Sequence, residues 1–142
     1  MRRRYYDEGP SSDSKDIMKL SELAKMINGS ILVGSDQPDL IIDKAFAADL
    51  LSDVLALTDE RTTLVTGMIN PQVMRVAEIL NVTAVIFVRG KNPPPSLVKY
   101  AIELNIPLVS TKKTMFETCG LMYAHGVRAC RSRSACEMSD CG

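Results

Sequence analysis

Side chains able to do chemistry gather in three places along the chain. The first is a set of short polar segments that each follow an apolar run: Gly67 to Asn70, Arg89-Gly90-Lys91, and Ser110-Thr111-Lys112 with Thr114. Serine and threonine hydroxyls beside lysine or arginine are the donors a phosphate needs, and a segment that opens a helix adds free backbone N–H groups. The plainer reading is that Asn70 and Thr114 are helix caps and that the lysines are solvated. The second place is Asp49 and Asp53, four residues apart, which a helix would present on one side. They suit a Mg²⁺ ion or an acid and base pair, or else a helix-start carboxylate beside a solvated neighbour. The third is Cys130, Cys136 and Cys141, separated by five and four residues. Zinc and iron–sulfur sites use tighter pairs and a fourth ligand, which Cys119 or His125 could supply; redox-sensitive or incidental thiols are the other reading.

No Walker A spacing follows any apolar run, and no fingerprint of three spaced glycines is present, which argues against ATP hydrolysis or kinase activity. The single histidine, His125, precedes a helix-ending Gly126, so most histidine-based catalysis is excluded. The chain is therefore read as a non-enzyme with no cofactor and no metal. A formal net charge of zero supports neither a nucleic-acid partner nor a membrane surface. The apolar runs stop short of a bilayer span. Arg2, Arg3 and Arg4 are followed by Tyr5-Tyr6-Asp7-Glu8 where a signal peptide would place its apolar segment, so the expected compartment is the cytoplasm.

The elements that must position these residues centre on the stretch from Thr83 to Thr114. Thr83 to Val88 is an apolar, β-branched strand, Leu97, Val98, Ala101, Ile102 and Leu104 fall on one inward face at helical spacing, and Ile106 to Ser110 is a second strand. Strand, helix, strand, helix is a parallel βαβ unit, which needs cover on both faces. Upstream, Leu20 to Ile27 reads as a helix capped by Ser21 and closed by Asn28-Gly29. Ile31 to Val33 and Leu40 to Phe46 read as neighbouring antiparallel strands. Asp49 to Leu57 is a short helix with Leu50, Leu51, Val54, Leu55 and Leu57 inward. Thr63 to Thr66 is a strand, and Pro71 opens a helix capped by Asn70. The last helix, Met115 to Tyr123, has Thr114 as cap and Phe116, Cys119, Leu121 and Met122 as core. Residues 1–16 read as a flexible arm, 17–126 as one α/β domain, and 127–142, rich in Arg, Ser and Cys, as a disordered tail. Three strands thus end at Gly67, Val88 and Ser110, and in open α/β sheets ligands gather outside such carboxyl ends.

Ala47-Ala48-Asp49-Leu50-Leu51-Ser52-Asp53-Val54-Leu55-Ala56, Val65-Thr66-Gly67, Ala84 to Gly90 and Ile106 to Thr111 resemble the DRTGG domain family over about Met18 to Gly126. The Asp-Leu-Leu-Ser-Asp-Val segment is the most specific part. The resemblance implies a three-layer α/β sandwich with a mixed, mostly parallel sheet flanked by helices, like the N-terminal domain of HPr kinase/phosphorylase. It also implies a regulatory module of the kind that accompanies catalytic or nucleotide-sensing domains in CBS-domain pyrophosphatases and some phosphate acetyltransferases. The string that names the family is absent, with only Asp59, Arg61, Thr62 and Gly67 scattered nearby.

The expected function is a non-catalytic module that senses a nucleotide or other phosphorylated metabolite. Its ligand-binding residues would be Gly67, Asn70, Arg89, Gly90, Ser110, Thr111, Lys112 and Thr114, and its protein partners an enzyme and a second copy of itself. A homodimer follows from an exposed sheet edge. The alternative is a redox accessory protein holding a metal or iron–sulfur cluster through its C-terminal cysteines.

Overall fold

The computed structural model describes residues 17–130. The three apolar runs expected to form parallel strands do so because their side chains alternate between two buried destinations. In β5 (Thr63–Thr66), β6 (Val85–Phe87) and β7 (Leu108–Ser110), Leu64, Val85, Phe87 and Leu108 enter one core. Val65, Ile86 and Val109 enter the other. The first core is covered by α2 (Leu51–Leu57), α3 (Gln72–Ile79) and α4 (Pro95–Leu104), through Val54, Val73, Met74, Ala77, Leu97 and Ala101. The second is covered by α1 (Leu20–Met26) and α5 (Met115–Ala124), through Leu20, Leu23, Ala24 and Met122. The result is a three-layer α/β sandwich, with the sheet buried on both sides as parallel pairing requires.

The main sheet adds β2 (Ser30–Val33), β4 (Lys44–Ala47) and β8 (Arg128–Ala129), in the order β2-β7-β6-β5-β4-β8. All its pairings are parallel except that of β2 with β7. A small antiparallel pair, β1 (Met18–Lys19) with β3 (Ile41–Ile42), stands apart from it.

Several sequence expectations are corrected. Ile31–Val33 and the 40–46 run do not pair with one another; they lie at opposite ends of the sheet, with β7, β6 and β5 between β2 and β4. The chain leaves β2 through Gly34 (φ +99°), packed so closely on Pro107 that a Cβ would sit 2.7 Å from that ring. This sets the end of β2 beside the start of β7, where Val33 is opposite Leu108. The 40–46 run is divided at Asp43 into β3 and β4, which serve different sheets.

Helix starts and faces also shift. Lys19, not Ser21, precedes α1, and its N–H donates to Glu22 Oε1 at 3.2 Å. Four of the apolar side chains assigned inward point to water: Leu50, Leu55, Ile102 and Phe116, the last 86 % exposed. In α5 the sheet is met by Thr118 and Met122, one helical turn apart, and Phe116 falls on the opposite side. Beyond Gly126 the chain is still part of the fold. Val127 is buried, and Arg128 and Ala129 pair with Lys44 and Ala45. Cys136 and Cys141 lie outside the described residues.

The contrast between two phenylalanines tests this assignment. Phe87→Ala, which empties a fully buried site, should cost ~3–5 kcal/mol in urea unfolding. Phe116→Ala should leave stability within about 0.5 kcal/mol of the parent.

Candidate functional site at the strand ends

Register makes the site. Thr66 is opposite Phe87, and Phe87 is opposite Ser110, so β5, β6 and β7 finish level and their following loops share one rim. The rim is also a place where connections part company. The chain leaving β6 enters α4 on one face of the sheet, and the chain leaving the adjacent β7 enters α5 on the other. Loops that diverge in this way open a crevice between neighbouring strand ends.

The loops are tied together through their backbones. Arg89 (φ +66°) and Gly90 (φ +68°) are consecutive left-handed residues that turn the chain sharply after β6. Such a conformation is unusual for arginine and is held by the surroundings. Here Arg89 N–H donates to the Lys113 carbonyl at 2.8 Å, and Gly90 N–H to that of Thr111 at 2.9 Å. Thr111, buried, donates its hydroxyl to the Ile27 carbonyl at 2.6 Å and accepts from Lys113 N–H at 3.2 Å, which attaches the end of α1 to the same rim.

Two adjoining depressions result, with Asn92 on the boundary of both. One, of about 630 Å³, is lined by Gly90, Ser110, Thr111, Lys112, Lys113 and Glu117, with the end of α1 and the outer side of β2. The other, of about 520 Å³, is lined by Asp49, Gly67, Asn70, Arg89, Lys91 and Pro94 among others. Of the residues expected to bind a ligand, Gly67, Asn70 and Arg89 thus share one depression and Gly90, Ser110, Thr111 and Lys112 the other. Thr114 lines neither.

Their polar atoms are unequally free. The Thr114 hydroxyl accepts from Glu117 N–H at 3.2 Å, and Glu117 Oε1 takes Thr114 N–H at 2.9 Å, a reciprocal capping box. Asn70 Oδ1 accepts from Gln72 N–H at 2.8 Å. The Ser110 hydroxyl donates to the Lys91 carbonyl at 3.3 Å. The cations are the uncommitted groups: among the described residues Lys91, Lys112 and Lys113 form no ion pair. Lys91, Lys113 and Asn92 therefore join the set, and so do the α1 and β2 positions that β2's place beside β7 brings in.

Asp49 has a role that spacing did not reveal. Its Oδ1 accepts from Gly67 N–H at 2.7 Å and from the Thr66 hydroxyl at 3.2 Å, while Oδ2 lies 3.4 Å from Arg89 Nη1. The guanidinium rests directly over Gly67, where a Cβ would collide with it. The Gly67 amide foremost, then the Thr66 hydroxyl and the Arg89 charge, hold the Asp49 carboxyl below its ordinary range. Asp53 takes no part and sits exposed in the first turn of α2.

Elsewhere, Cys130 Sγ lies 3.6 Å from the Leu57 carbonyl and Cys119 packs against the core under α1 and α5. Burial pushes both thiols up. Among the described residues no three metal-ligating side chains come together. His125 caps the far end of α5, its Nδ1 2.9 Å from the Leu121 carbonyl. No described helix is long and apolar enough to cross a membrane.

No family model matches the chain, and no curated protein does. Among solved structures it is similar to the CBS and DRTGG domains of the regulatory region of Clostridium perfringens pyrophosphatase, solved in complex with the activator diadenosine tetraphosphate. The TM-score is 0.66 at 14% identity, over 84% of this chain and 53% of that one. The likeness establishes a shared fold, and this chain spans about half the length of that structure.

Acid titration checks the Asp49 cluster. Its depressed carboxyl contributes stability that is fully present above about pH 4, the unfolded carboxylate range, and is lost as the pH falls through the lower folded value. Denaturant midpoints measured from pH 6 down to pH 2 should therefore decline less steeply in Asp49→Asn than in the parent.

Proposed function

We propose that this chain is a non-catalytic regulatory module that senses a phosphorylated small molecule, a nucleotide foremost, at the level ends of β5, β6 and β7. The observation that carries this reading is the surplus of positive charge at a crevice. Arg89, Lys91, Lys112 and Lys113 stand at the two depressions with only Asp49 and Glu117 as carboxylates, and both of those already accept hydrogen bonds. Such a rim attracts an anion, and a combined hollow of this size has room for a base and sugar beside the phosphates. The nucleotide activator bound to the structurally similar regulatory region supports the same ligand class.

The non-catalytic half of the proposal rests on the same bookkeeping of donors and acceptors. The rim carboxylates that could serve as a base are each held by two or more donors, and His125 is at the opposite end of α5 from the rim loop. Binding would then be reported to a partner enzyme, the role the module's architecture suits.

Isothermal titration at low salt against ATP, GTP and inorganic pyrophosphate tests the reading. Heat is expected with at least one, weakened about fivefold or more by Lys112→Ala and by raising the ionic strength. No heat with any probe, or affinity indifferent to Lys112→Ala and Lys113→Ala, would remove the ligand.

Self-association belongs to the same reading. Among the described residues the outer edge of β2, Ser30–Val33, has no neighbouring strand, and it carries the exposed Leu32; open edges pair with their like. Light scattering should give a mass rising toward the dimer across micromolar concentrations, and Leu32→Lys should hold it at the monomer.

A further inference from the structure

Asp49 is the one rim carboxylate bound by donors from two different strand ends, and every one of those donors is of a kind that binds phosphate. Gly67 N–H and the Thr66 hydroxyl come from the end of β5, and the Arg89 guanidinium from the end of β6. Gly67 has no side chain to keep the guanidinium away, and the left-handed backbone at Arg89 turns the arginine back over it. The amide, hydroxyl and guanidinium therefore form a built oxyanion cradle, and the Asp49 carboxylate occupies it.

We infer that Asp49 is a built-in stand-in for the ligand, and that a phosphate group binds by displacing its carboxylate from the Gly67 amide, the Thr66 hydroxyl and Arg89. This deepens the proposed sensing role and rests on it, naming the position taken by one phosphate and the contact that opposes it. The exchange is feasible on the geometry. The Asp49 side chain is 44 % exposed, so it can swing into water without crossing protein; Gly67 and Arg89 line the depression of about 520 Å³, and Thr66 lies buried beneath them. A phosphate offers more acceptor oxygens and more charge to a guanidinium than a carboxylate does, and it can engage the two guanidinium nitrogens together.

The device also has an output. Asp49 immediately precedes Leu50 and α2, and the Leu50 carbonyl accepts the first turn's N–H groups from Asp53 and Val54 at 3.0 and 3.3 Å. Leu50 is 60 % and Leu55 45 % exposed, an apolar outer surface on the very element that the carboxylate anchors. Release of Asp49 frees the entry to α2, and so changes how that surface is presented to a partner.

The test compares two charge changes that a purely structural contact would not send in opposite directions. In titrations with ATP and inorganic pyrophosphate, Asp49→Asn keeps an acceptor for Gly67 N–H but removes the competing charge, and should bind at least about fivefold tighter, the scale of one unit charge about 4 Å away when fully screened by water. Arg89→Met should bind at least about fivefold weaker. Affinity unchanged or weakened in Asp49→Asn, with binding still weakened by Lys112→Ala, overturns this inference alone and leaves the rim as the site. No binding by the parent or by Asp49→Asn overturns both. Should Asp49→Asn fail to fold, the parent decides: the Gly67 amide and the Asp49 carboxyl carbon must both shift in NMR spectra as pyrophosphate is added, and their standing still at saturation rejects the displacement.

Discussion

A parallel sheet has no exposed face to spare, and that requirement governs nearly everything in this fold. Leu64, Val85, Phe87 and Leu108 on one side, with Val65, Ile86 and Val109 on the other, alternate strictly with the pleat. A register slip of one residue would exchange every inward side chain between two cores of different shape. The strands are therefore fixed in height relative to one another, and their ends are level because their middles are packed. The rim inherits its geometry from the core. Its loops need carry little of their own rigidity, and the polar residues on them are placed by apolar residues three or four positions earlier.

At that rim the hydroxyls and the cations divide the labour. Thr66, Ser110, Thr111 and Thr114 all look like ligand donors on paper, yet each has an intramolecular partner: Asp49, the Lys91 carbonyl, the Ile27 carbonyl and the α5 capping box. Buried or half-buried hydroxyls must find such partners because an unmet polar group costs more than a made bond returns. Long cationic side chains have no comparable obligation, since their charged heads reach water while their stems lie along the surface. What is left for recognition is thus charge with a little shape.

Much of this was legible in the residue order, and the failures have physical causes. The βαβ unit from Thr83 to Thr114 was readable because its apolar runs are continuous and its breaks are prolines and a glycine, signals that depend only on local chemistry. The same holds for the Thr114 cap, the turn at Asn28 (φ +54°) and the meeting of Gly67, Arg89 and Ser110 on one rim; at α3 the capping position falls one residue later than expected, on Pro71, with Asn70 Oδ1 accepting from Gln72 N–H. Partner choice between strands is a different matter. Ile31–Val33 pairs with a strand more than seventy positions away, where Gly34 rides on Pro107, and neither residue announces the other. Asp49 was visible as one of two carboxylates at helical spacing, but its true partners belong to other strands. The outward side chains of α2, α4 and α5 were misassigned because apolar residues run almost all round those helices. Periodicity cannot then say which side meets the sheet. Arg128 and Ala129 have no apolar signature, being a short edge strand held by backbone pairing.

One hydrogen bond of the rim bears on the order in which the molecule comes into being. The Thr111 hydroxyl and the Ile27 carbonyl that receives it are 84 positions apart in the chain. Contacts at such separation pay a large loop-closure cost and are consolidated after local ones. During synthesis α1 emerges before β7, and its seat beside that strand does not exist until the whole βαβ unit has been made. For that interval Leu23 and Ile27 lack part of their eventual cover, and uncovered apolar faces of this kind are what chaperones bind and what aggregates nucleate upon. A segment made before β7 thus docks only after it, and the rim is complete only then.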